Sequence, residues 1–385
     1  MKKKIAILGS TGSIGKCLLK IIEKDLKSFN VILLTANKNY RELFNQAKKF
    51  NVKNLIISDY ESYCKAKTIN KNNNFRIYNN FSKFSEIFKT KVDYSMSAIV
   101  GLPGLEPTIN IIKYSKTIAI ANKESIICGW NLILKKLNKH KTKFIPVDSE
   151  HFSVWFSINS TLSKVDKIYL TASGGPFYKR TFKSLKNVNS LDALKHPTWK
   201  MGKKITIDSA TLINKLFEVI EAKKIFNVNY NQLNMIIHPL SYVHSIIKFQ
   251  NGLISLIAHD TTMKIPILNS LNINLKNVYL KNNINLAKLN NLNFHEPKTK
   301  NFPLIKLLKI IPKKDSLFET ALVTINDFIV DLFLKNKVKF TDISKIMLNM
   351  INTKKFKKYK YMYPRDIKII LKTKKEIEIY LNKIF

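Results

Sequence analysis

Asp148-Ser149-Glu150 has the residue types that could bind a cation or move a proton. It follows the apolar run 144–147 and precedes His151. Side chains alternate along an extended chain, so we expect Asp148 and Glu150 on one face and Ser149 on the other. Adjacent carboxylates repel each other unless a cation or a proton lies between them. The stretch therefore predicts a ligand site at the carboxyl edge of a sheet, and a solvated polar turn is the alternative.

Other segments carry groups suited to a phosphate. The stretch 173–176 (Ser-Gly-Gly-Pro) follows an apolar run, and 208–211 (Asp-Ser-Ala-Thr) precedes Asn214 and Lys215. Small hydroxyls, an amide and an ammonium group together favour a phosphate site. Asn214 and Glu218 are four residues apart, so one helix face could present an amide and a third carboxylate. Taken alone, Glu218 would be an exposed helix acid.

A glycine-rich turn indicates a nucleotide site. Residues 9–15 read Gly-Ser-Thr-Gly-Ser-Ile-Gly, directly after the first apolar run and before a helical pattern. Glycines let the backbone approach a pyrophosphate whose charge the helix N-terminus binds, although a tight strand–helix turn also explains them.

The segment 35–39 after the second strand has no acid and one lysine, Lys38, which favours NADP over NAD. The pair Lys123–Glu124, at the end of the fifth predicted strand, would lie beside the nicotinamide.

Apolar periodicity predicts the elements that position these residues. In the first 147 residues, strands alternate with helices at Ile14–Glu23 and Arg41–Lys49, which is typical of a parallel sheet. The predicted strands there are Lys4–Leu8, Val31–Thr35, Leu55–Ser58, Tyr94–Val100, Thr117–Ala121 and Phe144–Val147. Later strands are expected at Ile168–Thr171, Met235–Ile237, Ser245–Phe249 and Leu253–Ala258, with a helix at Ile213–Ile225. After Phe302 the pattern is helical almost to Phe385.

This pattern predicts an α/β protein. We expect an N-terminal Rossmann-like doubly wound domain over 1–150 that binds NADPH, and a central α+β catalytic domain over 151–275 that binds metal and substrate. An Asn- and Lys-rich linker over 276–300 and a C-terminal helical domain over 301–385 complete it.

Composition excludes several classes of protein. None of the apolar runs among the 385 residues approaches the roughly 20 needed to span a bilayer, and the apolar run after the basic N-terminus is too short for a signal peptide. The cysteines at 17, 64 and 128 have no metal-like spacing, which suits a reducing cytoplasm.

The net charge of +40 favours an anionic partner, but all except four of the 66 basic residues are lysine, whereas phosphate and base recognition favours arginine. We interpret the charge as mutational bias of an AT-rich genome and expect neither nucleic-acid nor membrane binding.

The order of the motifs resembles 1-deoxy-D-xylulose-5-phosphate reductoisomerase, a family of the non-mevalonate isoprenoid pathway. The motifs are GSTGSIG, ANKES, PVDSEH, SGGPF, HPTWKMG and DSATLINK, between about residues 4 and 260. The resemblance implies NADPH-dependent rearrangement and reduction of 1-deoxy-D-xylulose 5-phosphate to 2-C-methyl-D-erythritol 4-phosphate. It also implies a homodimer and a lid over 173–203, with Trp199 and Met201 covering the site.

The resemblance further assigns the ligand contacts. Asp148, Glu150 and Glu218 would hold one divalent cation, and an all-carboxylate set fits Mg²⁺ or Mn²⁺. Lys123, Glu150 and His196 would be catalytic. NADPH contacts would come from Thr11, Gly12, Ser13, Ile14, Lys38, Asn39, Asn122, Glu124 and Gly202. Substrate contacts would come from Lys123, Ser149, Glu150, Ser173, His196, Ser209, Asn214, Lys215 and Glu218.

Three departures from the family and two rival functions bear on this interpretation. The late motif that resembles the family's Asn-Glu is Ile325-Asn326-Asp327, and the C-terminal helices match the family weakly. Leu216 and Asn37 stand where the family usually has glycine, and we expect Leu216 to be right-handed helical with a packed side chain. A semialdehyde or homoserine dehydrogenase would need a catalytic Cys or Lys constellation, and Cys128 near the relevant edge lacks a partner for it. A basic nucleic-acid-binding protein with a retained nucleotide fold would show steep salt dependence and no NADPH turnover.

Overall fold

Parallel strands that alternate with helices make up the first part of the chain, as the pattern predicts. The computed structural model describes residues 2–71, 74–271 and 283–385. A seven-stranded, all-parallel sheet has the order β4-β3-β2-β1-β5-β6-β7. Its strands are β1 Lys3–Leu8, β2 Phe29–Ala36, β3 Asn54–Ile57, β4 Arg76–Tyr78, β5 Val92–Ser97, β6 Ser115–Ile120 and β7 Lys143–Pro146. The order reverses at β1, so ligands are expected at the carboxyl ends of β1 and its neighbour β5.

The helices of this part connect successive strands. They are α1 Ser13–Glu23, α2 Tyr40–Lys49, α3 Tyr60–Ile69, α4 Phe84–Ile87, α5 Leu105–Ile111, α6 Lys123–His140 and α7 Ser149–Asn159. Short 3₁₀ turns lie at Phe81–Lys83, Leu102–Gly104 and Ile112–Tyr114. Asn39, Asp59 and Asn122 accept backbone N–H groups at the starts of α2, α3 and α6. These side chains satisfy helix donors that would otherwise lack intrahelical partners.

A second sheet follows, with four strands in the order β11-β10-β8-β9. Its strands are β8 Val165–Ala172, β9 Leu233–Ile237, β10 Val243–Phe249 and β11 Ile254–Ala258. β8 and β9 are parallel, and β10 is antiparallel to both β8 and β11. β11 is an edge strand, and three large apolar side chains at or beside it are exposed: Leu253, Ile254 and Leu256.

Helices dominate the rest of the chain. They are α8 Ser190–Ala193, α9 Lys203–Ala210, α10 Ile213–Phe226, α11 Lys264–Ser270, α12 Leu286–Asn290, α13 Phe318–Leu334, α14 Phe340–Ile351, α15 Lys354–Lys357 and α16 Ile367–Asn382. The 3₁₀ turns here are Phe182–Leu185, Tyr230–Gln232, Pro303–Lys309 and Lys358–Tyr361. Among the described residues no helix is both long and apolar enough to span a bilayer.

The chain divides into two compact units. Unit 1 takes the described residues of Met1–Ile126, Leu132–Phe152 and Met263–Asn282, and unit 2 takes those of Ile127–Asn131, Ser153–Thr262 and Asn283–Phe385. The parallel sheet of unit 1 is packed on both faces, with Ile5, Leu34 and Ile57 in its core. In unit 2, α10 packs on the second sheet through residues such as Val219 and Ile168.

Most predicted elements are confirmed, with ends shifted by one to three residues. β5 stops at Ser97, whereas the prediction continued it to Val100. The predicted linker 276–300 falls partly on residues 276–282, outside the described residues, as do residues 272–275 at the end of the predicted catalytic domain. The described remainder of the linker forms α12 and a bridge from His295 to Ile237.

Candidate functional site

The glycine-rich turn lies between β1 and α1, as predicted. Gly9 has φ +82°, and a Cβ at this position would lie 2.7 Å from the backbone oxygen of Ala98. A Cβ at Gly15 would lie 2.5 Å from the Gly9 oxygen, so α1 packs closely on the turn because this residue lacks a side chain. The first turn of α1 contains no acidic residue. Its N-terminus can therefore accept an anion, with Thr11, Gly12, Ser13 and Ile14 around it.

Two side chains that the sequence analysis missed hold this turn. The Thr35 hydroxyl accepts the Gly9 N–H at 2.8 Å, and the Thr35 carbonyl accepts the Ser10 N–H at 2.9 Å. Gln46, from α2, donates its amide to the Ser10 carbonyl at 3.1 Å. Both residues are distant in sequence from the turn, so no local motif identifies them.

Lys38 and Asn39 lie between β2 and α2. The Lys38 side chain is 76% exposed, and its ammonium group is 4.0 Å from the Asp59 carboxylate. An exposed cation without an acid in its own loop fits a 2′-phosphate better than a 2′-hydroxyl. The Asn39 side chain accepts the Glu42 N–H and so begins α2.

The start of α6 is fixed by Asn122. Its side-chain oxygen accepts the Ser125 N–H at 2.6 Å, and its amide nitrogen donates to the carbonyls of Ile99 and Gly101. These bonds use both N–H groups of the amide and one of the two acceptor positions of its oxygen, so the Asn122 side chain could meet a cofactor only as an acceptor. The next residues, Lys123 and Glu124, are both buried.

The Asp148–Glu150 stretch does not have the predicted extended geometry. Ser149 and Glu150 form the first turn of α7, and the Phe152 N–H donates to the Asp148 carbonyl at 2.8 Å. Strand alternation was therefore the wrong reason to group the two carboxylates, since successive helical residues differ by about 100°. The Lys123 ammonium is 3.3 Å from the Asp148 carboxylate, and the Ser149 hydroxyl donates to Glu150 at 2.6 Å. Unit 1 thus presents two carboxylates, a hydroxyl and a buried ammonium group.

Unit 2 brings together Ser173, His196 and Ser209, which lie on three different segments. Ser173 follows β8, His196 lies in the 173–203 segment and Ser209 is on α9. Nε2 of the imidazole is 3.0 Å from the Ser173 hydroxyl and 3.1 Å from the Ser209 hydroxyl. This cluster confirms that the SGGPF, HPTWKMG and DSATLINK motifs meet in space.

Hydrogen bonds fix the tautomer of His196. Its Nδ1 accepts the backbone N–H groups of Thr198 and Trp199 at 3.2 and 2.9 Å, so the proton must be on Nε2. Burial lowers the pKa of His196 to about 4, and the ring is therefore neutral at pH 7. The serine oxygens accept from Nε2–H, which leaves both hydroxyl protons available to an anion.

Two glycines make room for this cluster. Gly174 and Gly175 have φ of +80° and +68°. A Cβ at Gly175 would lie 2.8 Å from the Ala210 backbone, so α9 could not approach so closely. The Gly175 N–H also donates to the Ser173 hydroxyl at 3.0 Å, which fixes the orientation of that oxygen.

The helix α10 carries the last predicted group, Asn214, Lys215 and Glu218. The Asn214 amide donates to Glu218 at 2.5 Å, which confirms the shared helix face, and the Lys215 ammonium donates to the other Glu218 oxygen. Lys215 and Glu218 are 3% and 1% exposed, so the alternative of an exposed helix acid is wrong. Two buried opposite charges with an amide form a preorganised polar group.

Leu216 is helical and fully buried, as predicted. The left-handed residue is instead Leu212, with φ +63° and ψ +10°, at the start of α10. A leucine in this region costs about 1–2 kcal/mol. Its buried side chain packs in a small cluster with Ala172, Ile237 and Phe302, which keeps it there.

The 173–203 segment connects β8 to α9 and contains only short helices. Trp199 is half-buried in an irregular stretch, with its ring edge-on to His244 at 6.0 Å between centroids. Thr198 and Ser241 hydroxyls are 3.0 Å apart. Met201 is half-buried and Gly202 is exposed at the start of α9.

Three family models match this chain, and all three describe the same enzyme family. Residues 5–129 match the model described as 1-deoxy-D-xylulose 5-phosphate reductoisomerase, and 144–226 and 260–379 match two models of its C-terminal domains. The chain is 56% identical over 368 residues to the reductoisomerase of Pelagibacter ubique, with 95% of each chain covered. It is 38% identical to that of Clostridium kluyveri over 91% of this chain and 92% of the relative. The chain belongs to the 1-deoxy-D-xylulose 5-phosphate reductoisomerase family.

Solved reductoisomerase structures agree. The Zymomonas mobilis enzyme in complex with NADPH superposes with a TM-score of 0.87 at 30% identity, covering 98% of both chains. A complex with NADPH, fosmidomycin and magnesium gives a TM-score of 0.88 over 99% of this chain and 97% of the other. This chain is an NADPH-dependent oxidoreductase that converts 1-deoxy-D-xylulose 5-phosphate to 2-C-methyl-D-erythritol 4-phosphate in isoprenoid biosynthesis. Its cofactors are NADPH and a divalent cation.

Proposed function

We propose that the two units divide the work of this reaction. Residues of unit 1 bind NADPH and supply Lys123, Ser149 and Glu150 to the reacting oxygens. Residues of unit 2 hold the phosphate end and backbone of the sugar. The observation that carries this proposal is the neutral His196 between two serine hydroxyls, because it leaves both hydroxyl protons free to bind an anion.

The carboxylates of Asp148, Glu150 and Glu218 are proposed to hold the divalent cation. Oxygen donors without His or Cys fit a hard cation such as Mg²⁺ or Mn²⁺. The Lys123 ammonium lies beside the Asp148 carboxylate and the Lys215 ammonium beside the Glu218 carboxylate, so two of the three acids already form an ion pair. When bound, the cation polarises neighbouring oxygens of the ketose phosphate and stabilises negative charge on them.

Lys123, Glu150 and His196 are the proposed catalytic residues. The buried Lys123 ammonium can donate to a substrate oxygen that becomes more negative as the carbon skeleton rearranges. Glu150 orients the Ser149 hydroxyl by accepting its hydrogen bond, so the Ser149 oxygen would accept a hydrogen bond from the same end of the sugar. His196 keeps Ser173 and Ser209 aimed at the phosphate.

Phosphate binding would use groups from the end of β8, from the last turn of α9 and from α10. Ser173, Ser209, Asn214 and Lys215 offer two hydroxyls, an amide and an ammonium group, a set that suits a dianion. Lys215 is buried and bonded to Glu218, so its charge is held in place before the substrate arrives. Trp199 and Met201 in the proposed lid 173–203 would then exclude water from the bound sugar phosphate while it rearranges and is reduced.

The proposed NADPH residues lie at the N-termini of four helices, α1, α2, α6 and α9. Thr11, Gly12, Ser13 and Ile14 would bind the pyrophosphate at α1, and Lys38 and Asn39 would bind the 2′-phosphate end at α2. Asn122 and Glu124 at α6, with Gly202 at α9, would meet the nicotinamide half. We propose accordingly that residues 1–150 are the NADPH-binding domain, 151–275 the catalytic domain and 301–385 a C-terminal helical domain.

One assay series tests the phosphate assignment. We expect NADPH oxidation with the ketose phosphate and Mg²⁺ or Mn²⁺, and a KM for the sugar phosphate raised about tenfold in Ser209→Ala, since a charge-assisted hydrogen bond is worth roughly 1.5–3 kcal/mol. The KM for NADPH should not change. Ser184→Ala, on an exposed hydroxyl of the same segment, is the control. An unchanged sugar-phosphate KM in Ser209→Ala would remove the serine pair from the phosphate site.

A homodimer is also proposed. Its interface would lie along the edge strand β11 of the second sheet. Leu253, Ile254 and Leu256 are 62%, 59% and 45% exposed at the edge strand β11. An exposed apolar edge strand is a surface that proteins usually cover. Ile254→Lys should convert a dimer to a monomer in light scattering, whereas Lys248→Ala on β10 should leave it dimeric. A wild-type monomer at micromolar concentration would contradict this.

We further propose that the chain works in the cytoplasm without binding nucleic acid. The three cysteines, all among the described residues, form no disulfide, which fits a reducing compartment. Retention on a DNA column that falls steeply with salt would contradict the second part.

A further inference from the structure

A buried polar network lies beside Ser209 and outside all the assigned site residues. Asp208, which immediately precedes Ser209 on α9, is 1% exposed, and Asn326 on α13 is fully buried. The Asn326 amide nitrogen donates to one Asp208 oxygen at 2.8 Å. The Lys204 ammonium lies 3.1 Å from the other Asp208 oxygen and 2.9 Å from the Asp327 carboxylate. Both oxygens of a buried carboxylate are thus bound, by donors from two helices.

The orientation of Asn326 is set by charge. A flipped amide would turn its oxygen toward the Asp208 carboxylate and replace an attraction with a repulsion. Its own oxygen is buried with no hydrogen-bond partner among the described residues, so the donor end of the amide carries its polar contact. Burying the Asn326 oxygen without a hydrogen bond destabilises the folded chain, so the bond from the Asn326 amide nitrogen to Asp208 must offset this cost.

The network ties α9 to α13 at both ends of α9. Lys204 lies in the first turn, where the lid segment 173–203 joins the helix, and Asp208 lies in the last turn. A rigid α9 fixes the Ser209 hydroxyl relative to His196, 3.1 Å away. A hydrogen-bond donor that is misplaced by a fraction of an ångström loses much of its value in an anion site.

We propose that Asn326 is a positioning residue for the substrate-phosphate site, acting on Ser209 through Asp208. The proposal rests on the assignment of Ser209 to that site. Asn326 itself touches neither substrate nor cofactor. Lys204 completes the network, because its ammonium group lies between the Asp208 and Asp327 carboxylates and so ties the first turn of α9 to α13.

A charge swap tests this proposal. Asn326→Asp keeps the shape of the side chain but places a carboxylate against Asp208, and it should raise the KM for the sugar phosphate about tenfold, as couplings of 0.5–2 kcal/mol permit. The KM for NADPH should stay within twofold of wild type. The double variant Asp208→Asn/Asn326→Asp restores one donor and one acceptor and should recover most of the lost affinity. Asp331→Asn, on an exposed ion pair of the same helix, is the control.

Each outcome is decisive. Recovery in the double variant supports the proposal. A lower melting temperature of Asn326→Asp with unchanged KM values, or a double variant as poor as the single one, would make the network merely structural and overturn it. If Asn326→Asp does not fold, Asp327→Asn, whose side chain is 33% exposed, should raise the sugar-phosphate KM about threefold, and no change there overturns the proposal. Ser209→Ala separates the two proposals: if it has no effect, the phosphate assignment itself is wrong.

Discussion

The polar groups of unit 1 and unit 2 are assembled in different ways. In unit 1 they follow successive parallel strands, so that the sheet brings the ends of β1, β2, β6 and β7 to one edge. In unit 2, Ser173, His196 and Ser209 come from a strand end, an irregular segment and a helix. A parallel sheet orders its loops by topology alone, whereas the second cluster depends on specific hydrogen bonds.

The two groups also differ in charge. In unit 1 the Lys123 ammonium lies 3.3 Å from the Asp148 carboxylate, so a ligand of either residue would bind next to an ion pair. The serine cluster of unit 2 uses a neutral imidazole, because two backbone N–H groups occupy Nδ1. In the proposed phosphate site, the serine cluster would therefore supply fixed neutral donors that do not titrate near pH 7, and the Lys215 ammonium would supply the charge.

The strongest test removes charge from unit 1. Glu150→Gln keeps the side-chain shape, and kcat should fall by roughly a thousandfold, since Lewis-acid stabilisation is worth several kcal/mol. NADPH affinity, measured by fluorescence, should be unchanged. Glu106→Gln, an exposed glutamate of unit 1, is the control. Near-wild-type turnover in Glu150→Gln would remove this carboxylate from the cation site.

The proposed lid over 173–203 in unit 2 provides the next largest expected effect. Trp199→Ala should lower kcat/KM for the sugar phosphate by about thirtyfold, because loss of a covering aromatic admits water and loosens the geometry. Trp199→Phe retains a ring and should lose much less. NADPH affinity should change little in either variant. If Trp199→Ala instead melts at a lower temperature with unchanged kinetics, the ring is part of the core.

The neutral imidazole makes a prediction about pH. The pKa of His196 is about 4 in the folded chain and 6.5 when unperturbed. Between these values the unfolded chain binds a proton that the folded chain does not, so stability is full above pH 6.5 and is lost as the pH falls toward 4. Melting temperatures at pH 7.5 and 5.0 should therefore differ more for the wild type than for His196→Gln. Equal differences would mean that His196 is charged in the folded chain.

The smallest expected effect is at the exposed cation of unit 1. Lys38→Ala should raise the KM for NADPH about threefold to fivefold, since exposed ion pairs are worth up to about 1 kcal/mol. The KM for NADH, which lacks the 2′-phosphate, should not change. Lys49→Ala, at the other end of α2, is the control. A similar loss with both cofactors would place Lys38 away from the 2′-phosphate.

The sequence by itself determined the fold class, the strand order along the chain and most of the polar residues. Periods of two and 3.6 residues identify strands and helices because burial of one face is a local requirement. The glycine turn after β1 and the Asn214–Glu218 face were likewise predictable, since each depends on neighbours within a few residues. Leu216 was correctly expected to be helical and buried for the same reason.

Only the tertiary structure decided the rest. Asp148–Glu150 enters a helix where alternation predicted an extended chain, because the choice depends on how α7 packs and not on the three residues. The left-handed residue is Leu212, held by buried apolar neighbours that lie far away in sequence. The hydrogen bonds of His196 to Ser173 and Ser209, the support of the glycine turn by Thr35 and Gln46, and the bond from Asn326 to Asp208 all join distant segments. A sequence pattern records local burial, but a hydrogen bond between distant segments exists only once the chain has folded.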